Sequence, residues 1–145
     1  MADMSSESAV DAALRVLRHR DRSTAEMRER LDAAGYAHDE RDDAIETLVR
    51  TGLLDDARFA ALRARALAER GVGDIRIRHE LRRASVPSEL VDEALGSVEP
   101  EAERAQNIVA RRGPGAKTAR FLHGKGFSDE IVAGVVAVGH EDELG

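Results

Sequence analysis

The sequence predicts an all-α fold, an elongated tandem array of three three-helix repeats. Three observations predict it. Ala, Leu, Arg and Glu, which favour helices, abound, while aromatic residues make up 3% of the chain. Apolar residues recur at helical spacing in short stretches punctuated by Gly, Ser and Pro, and no alternating strand series with Asn-Gly or Asp-Gly turns occurs. One pattern, a helix with an apolar face closed by a small residue, appears three times. With 145 residues and a hydrophobic fraction of 42% the chain can bury a core, which excludes wholesale disorder.

Taken in order, residues 1–10 read as a flexible tail, with the first helix starting between Ser8 and Asp11. Ala13, Leu14, Val16 and Leu17 give that helix its apolar face. Arg18, His19, Arg20 and Arg22 gather at its C-terminal end, where cations complement the helix dipole. Ser23 and Glu26 have capping-box spacing and open a second helix through Met27 and Leu31, which Gly35 ends. A third starts at Asp39, presents Ile45, Leu48 and Val49, and closes at Gly52. In the link GLLDDARFA, Asp55 or Asp56 can cap the next helix, and Leu53 and Leu54 can staple it to the previous one. The fourth helix carries Phe59, Leu62, Ala66 and Leu67 and stops at Gly71.

The stretch GVGDIRIRHELRRASV, Gly71 to Val86, forms the fifth helix. Ile77, Leu81 and Ala84 share one face, and Arg76, Arg78, Arg82 and Arg83 crowd the others against only Asp74 and Glu80. Ser88 and Glu89 start a sixth, with Leu90, Val91, Ala94 and Leu95 inside. Three shorter helices follow at 101–112, 114–123 and 128–138, and HEDELG reads as a polar, loose tail. The expected units are therefore 11–54, 55–98 and 99–138, between tails at 1–10 and 139–145.

Aligning Leu31, Leu81 and Leu122 checks the repeat. Fourteen residues upstream stand Leu17, Leu67 and Ile108; four downstream stand Gly35, Ser85 and Gly126. Tyr36, Val86 and Phe127 follow, then Ile45, Leu95 and Val136. Helical periodicity supplies part of this agreement, but not the small residue at each helix end.

The net charge of −6 hides an alternation. Residues 61–87 carry seven arginines against three acids, and residues 88–103 carry six acids and no base. Residues 104–126 carry six bases and no acid, and residues 127–145 carry five acids and no base. Two readings fit: charge balancing between solvated helix faces, or a basic stripe assembled from one helix of each unit. Arginines outnumber lysines twenty to two, which suits phosphate or carboxylate recognition, although a G- and C-rich genome gives the same bias.

Several chemistries find no support. There is no cysteine, so disulfides and thiolate metal sites are excluded. His19, His38, His79, His123 and His140 are scattered singly, and neither metal nor cofactor is expected. RRGPGAKTARF, Arg111 to Phe121, looks like a phosphate loop, but Ala116 precedes Lys117 and a helix precedes the loop. Its place matches Gly71 to Gly73, so it reads as an inter-helix turn with Pro114 near the first helical position. The N-terminus has no basic segment followed by an apolar one, and no apolar run approaches the roughly 18 residues of a membrane span. The expectation is a cytoplasmic, monomeric protein without membrane contact.

The three-unit plan and two particular words resemble the RecX family of bacterial recombination regulators. The words are ALRVLRHRDRSTAEMRERLDAAGY in the first unit and TGLLDDARFA at the first junction. They supply Arg20, Arg22, Ser23, Glu26, Leu31, Gly35, Tyr36, Gly52, Leu54, Asp55, Asp56, Phe59 and Ala60 of the family pattern. Gly71, Gly73 and the run Ile75 to Leu81 resemble its second basic helix. Ser85 departs from the usual Gly, and the third unit is short. The resemblance implies a protein that is not an enzyme, that binds the RecA recombinase on DNA, and that restrains its ATPase and strand exchange. The residues then expected to face the filament are Arg76, Arg78, Arg82, Arg83, Arg111, Arg112, Lys117 and Arg120, extended by Arg20, Arg22 and Arg28. Two other classes stay open: weak, sequence-independent binding of single- or double-stranded DNA by helix-turn-helix-like units, and a plain helical adaptor.

Overall fold

The computed structural model describes residues 7–144. Residues 1–6 of the expected N-terminal tail, and Gly145, lie outside the described residues. Within them the chain forms α1 (Ala9–Leu17), α2 (Thr24–Ala33), α3 (His38–Arg50), α4 (Asp56–Glu69), α5 (Asp74–Arg83), α6 (Ser88–Gly96), α7 (Glu101–Arg112), α8 (Ala116–Gly124) and α9 (Asp129–Leu144), with no strand. Helix α9 runs on past Val138, where the sequence pattern ends it.

Local chemistry sets most boundaries. Ser8 accepts from the Asp11 amide and opens α1. Ser23 and Glu26 form the full capping box at α2: the hydroxyl accepts from the Glu26 amide, and the Glu26 carboxylate accepts from the Ser23 amide. Asp55 caps α4 by accepting from the Arg58 amide. At the C-terminal ends the chain turns left-handed, at Gly35, Gly52, Gly71 and Gly126, and at Ser85 with φ 59°. A serine thus adopts there the conformation that glycine adopts after α2 and α8.

Three separate cores result. Ala13, Val16, Met27, Leu31, Ala44, Ile45, Leu48 and Leu54 form the first. Phe59, Ala60, Ala64, Leu67, Ile77, Leu81, Val86 and Val91 form the second. Ala105, Ile108, Val109, Leu122, Phe127, Val132 and Val135 form the third. Leu31, Leu81 and Leu122, the alignment anchors, are buried in one core each. Every helix pair that packs extensively lies inside one unit: α1 to α3, α4 to α6, or α7 to α9. Among the described residues, polar contacts join the first unit to the second and the second to the third, never the first to the third. That is a linear array, in which each unit touches only its neighbours.

Periodicity misplaces some side chains. Val49 and Leu62, read as core, are 48% and 46% exposed. Ala44 and Ala64 take the inward positions instead, because small residues let the helices of a unit approach closely. Of the two expected staple leucines, Leu54 is buried and Leu53 is exposed. Helix α8 starts at Ala116, with Gly115 as its N-cap, rather than at Pro114 as expected, and Thr118 ties the turn by donating to the Gly113 carbonyl.

Candidate interaction surface

The middle helices of the three units stand head to tail. At α5 the amide of Gly73, its N-cap, donates to the carbonyl of Lys125, the C-cap of α8, at 2.8 Å. The Ile75 amide donates to the Gly126 carbonyl at 3.0 Å. At α2 the Ser23 hydroxyl donates to the carbonyl of Ala84, the C-cap of α5, at 2.6 Å. The C-terminal end of α8 therefore meets the N-terminal end of α5, and the C-terminal end of α5 meets the N-terminal end of α2. At α5 two N-terminal amides answer the terminal carbonyls of α8, and at α2 a serine hydroxyl answers the terminal carbonyl of α5, so positive helix ends meet negative ones.

An acid from the next unit completes each joint. Asp56, first residue of α4, accepts from the Thr24 amide at 2.7 Å. Glu101, first residue of α7, accepts from the Asp74 amide at 2.9 Å. This separates the roles of the acid pair in the junction word: Asp55 caps its own helix, and Asp56 caps α2.

The joint between the second and third units is the more tightly interlocked. A Cβ on Gly73 would lie 2.4 Å from the Phe127 amide nitrogen and 2.5 Å from the Gly126 carbonyl. Gly126, at φ +91°, is pressed against the Cβ and backbone of Arg76. Arg104 is buried here, counted in the sequence only as one base of a charge run. Its Nη1 donates to the Val72 carbonyl at 2.8 Å, its Nε to the Glu99 carbonyl at 2.7 Å, and its Nη2 to the Asp74 carboxylate. The guanidinium also faces the Phe127 ring at 5.8 Å. Nothing in the local sequence marks this arginine as internal.

The arginines expected at a partner surface divide into groups. Arg76, Arg82 and Arg83 of α5, and Lys117 and Arg120 of α8, are exposed on the column of middle helices. None of these five has a carboxylate partner among the described residues, although Arg76 donates to the Gly124 carbonyl. Arg111 is exposed at the end of α7, and Arg112 beside it places its guanidinium carbon over the Phe121 ring of α8, 3.8 Å from the ring centroid. Arg78 is half-buried and pairs with Asp92 of α6 at 2.8 Å, which turns it towards its own unit. Arg28 is half-buried on α2.

Arg20 and Arg22 sit in the loop before α2. Arg20 lies 3.9 Å from Glu26, a loose pair. Arg22 has a buried Nε without a hydrogen-bond partner, and burial, then the like charges of Arg20 and Arg30, push its pKa down. Arg30, exposed on α2, is a cation of this cluster that the sequence reading omits. Residues carrying the family pattern hold turns and cores: Leu31, Leu54, Phe59, Ala60 and Leu81 are buried, while Gly35, Gly52 and Gly71 take positive φ. Tyr36 donates its hydroxyl to the Glu7 carbonyl at 2.8 Å.

Two adjoining clefts open where the first and second units meet. One, of about 250 Å³, has Arg20, Glu26, Phe59, Arg63, Glu80 and Arg83 among its lining residues. The other, of about 200 Å³, shares Arg20, Phe59 and Arg63 and continues over Leu62 and Ala66. Among the described residues no three His, Asp or Glu side chains come together as a metal site. Nor is any helix among them long and apolar enough to cross a membrane.

Comparison with known proteins matches two family models: RecX, first three-helix domain, over residues 9–48, and RecX, second three-helix domain, over residues 55–95. The chain is similar to the regulatory protein RecX of Halorhodospira halophila, at 34% identity over 99% of this chain and 96% of that protein. It is 38% identical to the regulatory protein RecX of Chromohalobacter salexigens, over 92% of this chain and 95% of that one. The crystal structure of RecX from Lactobacillus salivarius superposes with a TM-score of 0.76 at 21% identity, covering 94% of this chain and 97% of that chain. That last likeness concerns the fold, including the third unit, which neither family model reaches.

Proposed function

The chain belongs to the RecX family, and from that premise we propose that it binds the filament of the RecA recombinase on DNA and inhibits its ATPase and strand exchange. It acts as a cytoplasmic monomer by binding, without catalysis or cofactor. The observation that carries the reading is the column of middle helices, whose exposed Arg76, Arg82, Arg83, Lys117 and Arg120 have no carboxylate partner among the described residues. A linear array offers a long surface rather than a pocket, and a filament is a partner long enough to use it. Arginine is suited to the carboxylates and phosphates that a nucleoprotein filament displays. Arg111, Arg112, Arg20, Arg22 and Arg28 extend that surface, and Arg78, held by Asp92, contributes least.

The test is charge reversal at Arg82→Glu together with Arg83→Glu, with affinity measured on preassembled filaments. The proposal expects at least a tenfold loss, about 1.4 kcal/mol. Unchanged affinity contradicts it. The same unpaired cations favour one second reading, weak DNA binding without sequence preference. Salt separates the two: attraction to DNA alone falls steeply as salt rises, whereas filament binding that includes apolar contacts persists.

A further inference from the structure

Resting on the filament reading, we infer that the joined clefts between the first and second units take an acidic–apolar segment of the partner protein: one carboxylate enters between Arg20, Arg63 and Arg83, and a neighbouring apolar side chain lies on Phe59, Leu62 and Ala66.

Arg20, Arg63 and Arg83 are matched in number by Asp21, Glu26 and Glu80 along the two clefts, but the pairs between them are loose. Exposed ion pairs elsewhere close to 2.8–2.9 Å, as in Arg41–Asp32, Arg78–Asp92 and Arg15–Glu7. Those around the cleft stand off: Arg20–Glu26 at 3.9 Å, Arg58–Asp21 at 3.8 Å and Arg63–Glu80 at 3.4 Å. Arg83 makes no ion pair among the described residues, although Glu26 and Glu80 line the same cleft. Arg22, next to Arg20, leaves a buried donor unanswered and is crowded by like charge. An incoming carboxylate meets guanidinium forks that the protein's own acids do not hold firmly.

The apolar half supplies the second part. Leu62 is 46% exposed, although helical spacing puts it beside core positions, and it adjoins Ala66 and the edge of Phe59. Asp21, Glu26 and Glu80 border the two clefts. A nucleic-acid strand brings a negative charge with every residue and would set phosphates against these acids. A peptide with a single carboxylate beside an aliphatic or aromatic residue avoids them. The joint is also the less interlocked of the two, so an occupant touching both the loop before α2 and the helices α4 and α5 ties the first unit to the second.

The test places a photo-crosslinking residue, Leu62→p-benzoylphenylalanine, in the full chain, with Val49 as an exposed control position. Filaments are assembled on single-stranded DNA, co-sedimented with the protein, irradiated, and the crosslinked peptides mapped by mass spectrometry. The inference expects crosslinks from position 62 to a recombinase segment with an Asp or Glu within four residues of a large apolar side chain. It also expects Leu62→Asp to weaken co-sedimentation about tenfold. Crosslinks to DNA, crosslinks to a segment without an acid, or none while the protein still co-sediments overturn the inference and leave the proposed function standing. Failure of the unmodified protein to co-sediment at all removes the filament reading, and this inference with it.

Discussion

Ser23 and Ala84, 61 residues apart, are buried against each other, and the serine hydroxyl donates to the alanine carbonyl at 2.6 Å. The same oxygen accepts from the Glu26 amide, so one side chain both caps α2 and receives the end of α5. Replacing Ser23→Ala removes the cap and leaves the Ala84 carbonyl buried without its donor. The expected loss is about 2–3 kcal/mol in urea unfolding. Ser23→Thr keeps the hydroxyl and should recover more than half of it. A loss below about 0.5 kcal/mol for the alanine variant would show that the joint does not depend on this bond.

Gly73 and Gly35 resist the same substitution for different reasons and to different degrees. Gly35 sits at φ +92° with nothing within 4 Å of an added Cβ, so Gly35→Ala bears only the left-handed backbone cost, about 1–2 kcal/mol. Gly73 has an ordinary φ of −83°, but its Cβ would collide with the backbone of Gly126 and Phe127. Gly73→Ala should therefore cost more than Gly35→Ala and separate the second and third units. Hydrogen exchange at the Ile75 amide, which donates to Gly126, reads this directly. Retained protection there would refute the steric account.

Arg104 holds two carbonyls and a carboxylate in a buried place. Truncation to Arg104→Met should cost about 3–5 kcal/mol, because Asp74 and two carbonyls lose their partner together. Arg104→Lys should rescue little, since an ammonium cannot span all three acceptors. Circular dichroism should show helix content retained at low temperature and a lowered melting midpoint.

Tyr36 is the chain's single tyrosine, which makes its titration readable by ultraviolet absorbance. Burial, followed by the charges of Glu7 and Glu40, raises its pKa above the ordinary 10.0. A folded-state pKa above the unfolded one means that the protonated phenol contributes stability, fully present below the unfolded pKa. That contribution is lost as pH rises through the folded pKa, when the bond to the Glu7 carbonyl breaks. The measured midpoint should lie above that of a tyrosine in the unfolded chain. A midpoint at or below it would contradict the packing of α1 on the end of α2.

The helices were legible because their ends are written locally. Ser23 with Glu26, Asp55, Gly35, Gly52 and Gly71 each act within one turn of chain, and the threefold spacing of Leu31, Leu81 and Leu122 marks one core per unit. The joints were not legible, since each pairs residues from 27 to 61 positions apart. Gly73 reads as a helix opener, and its need to be glycine comes from Gly126. Arg104 reads as surface charge because only the fold wraps three acceptors around it. One hint was available: two adjacent acids at Asp55 and Asp56, where a single cap suffices. Of the expected partner surface, the exposure of Arg76, Arg82 and Arg83 followed from the apolar face of α5. The withdrawal of Arg78 towards Asp92, the stacking of Arg112 on Phe121 and the presence of Arg30 beside Arg22 required the three-dimensional arrangement.

Regulation of a recombinase filament by this array is proposed to run through its column of basic helices. The DNA-stimulated ATPase of the cognate recombinase, titrated with the protein near physiological salt and with excess single-stranded DNA as a control, tests it most directly. Inhibition is expected at well below one copy per recombinase subunit, persisting in the excess DNA, and shifted at least tenfold to higher concentration by Arg82→Glu with Arg83→Glu. Inhibition that appears only at equal stoichiometry and is relieved by added DNA, or no inhibition at all, would contradict it.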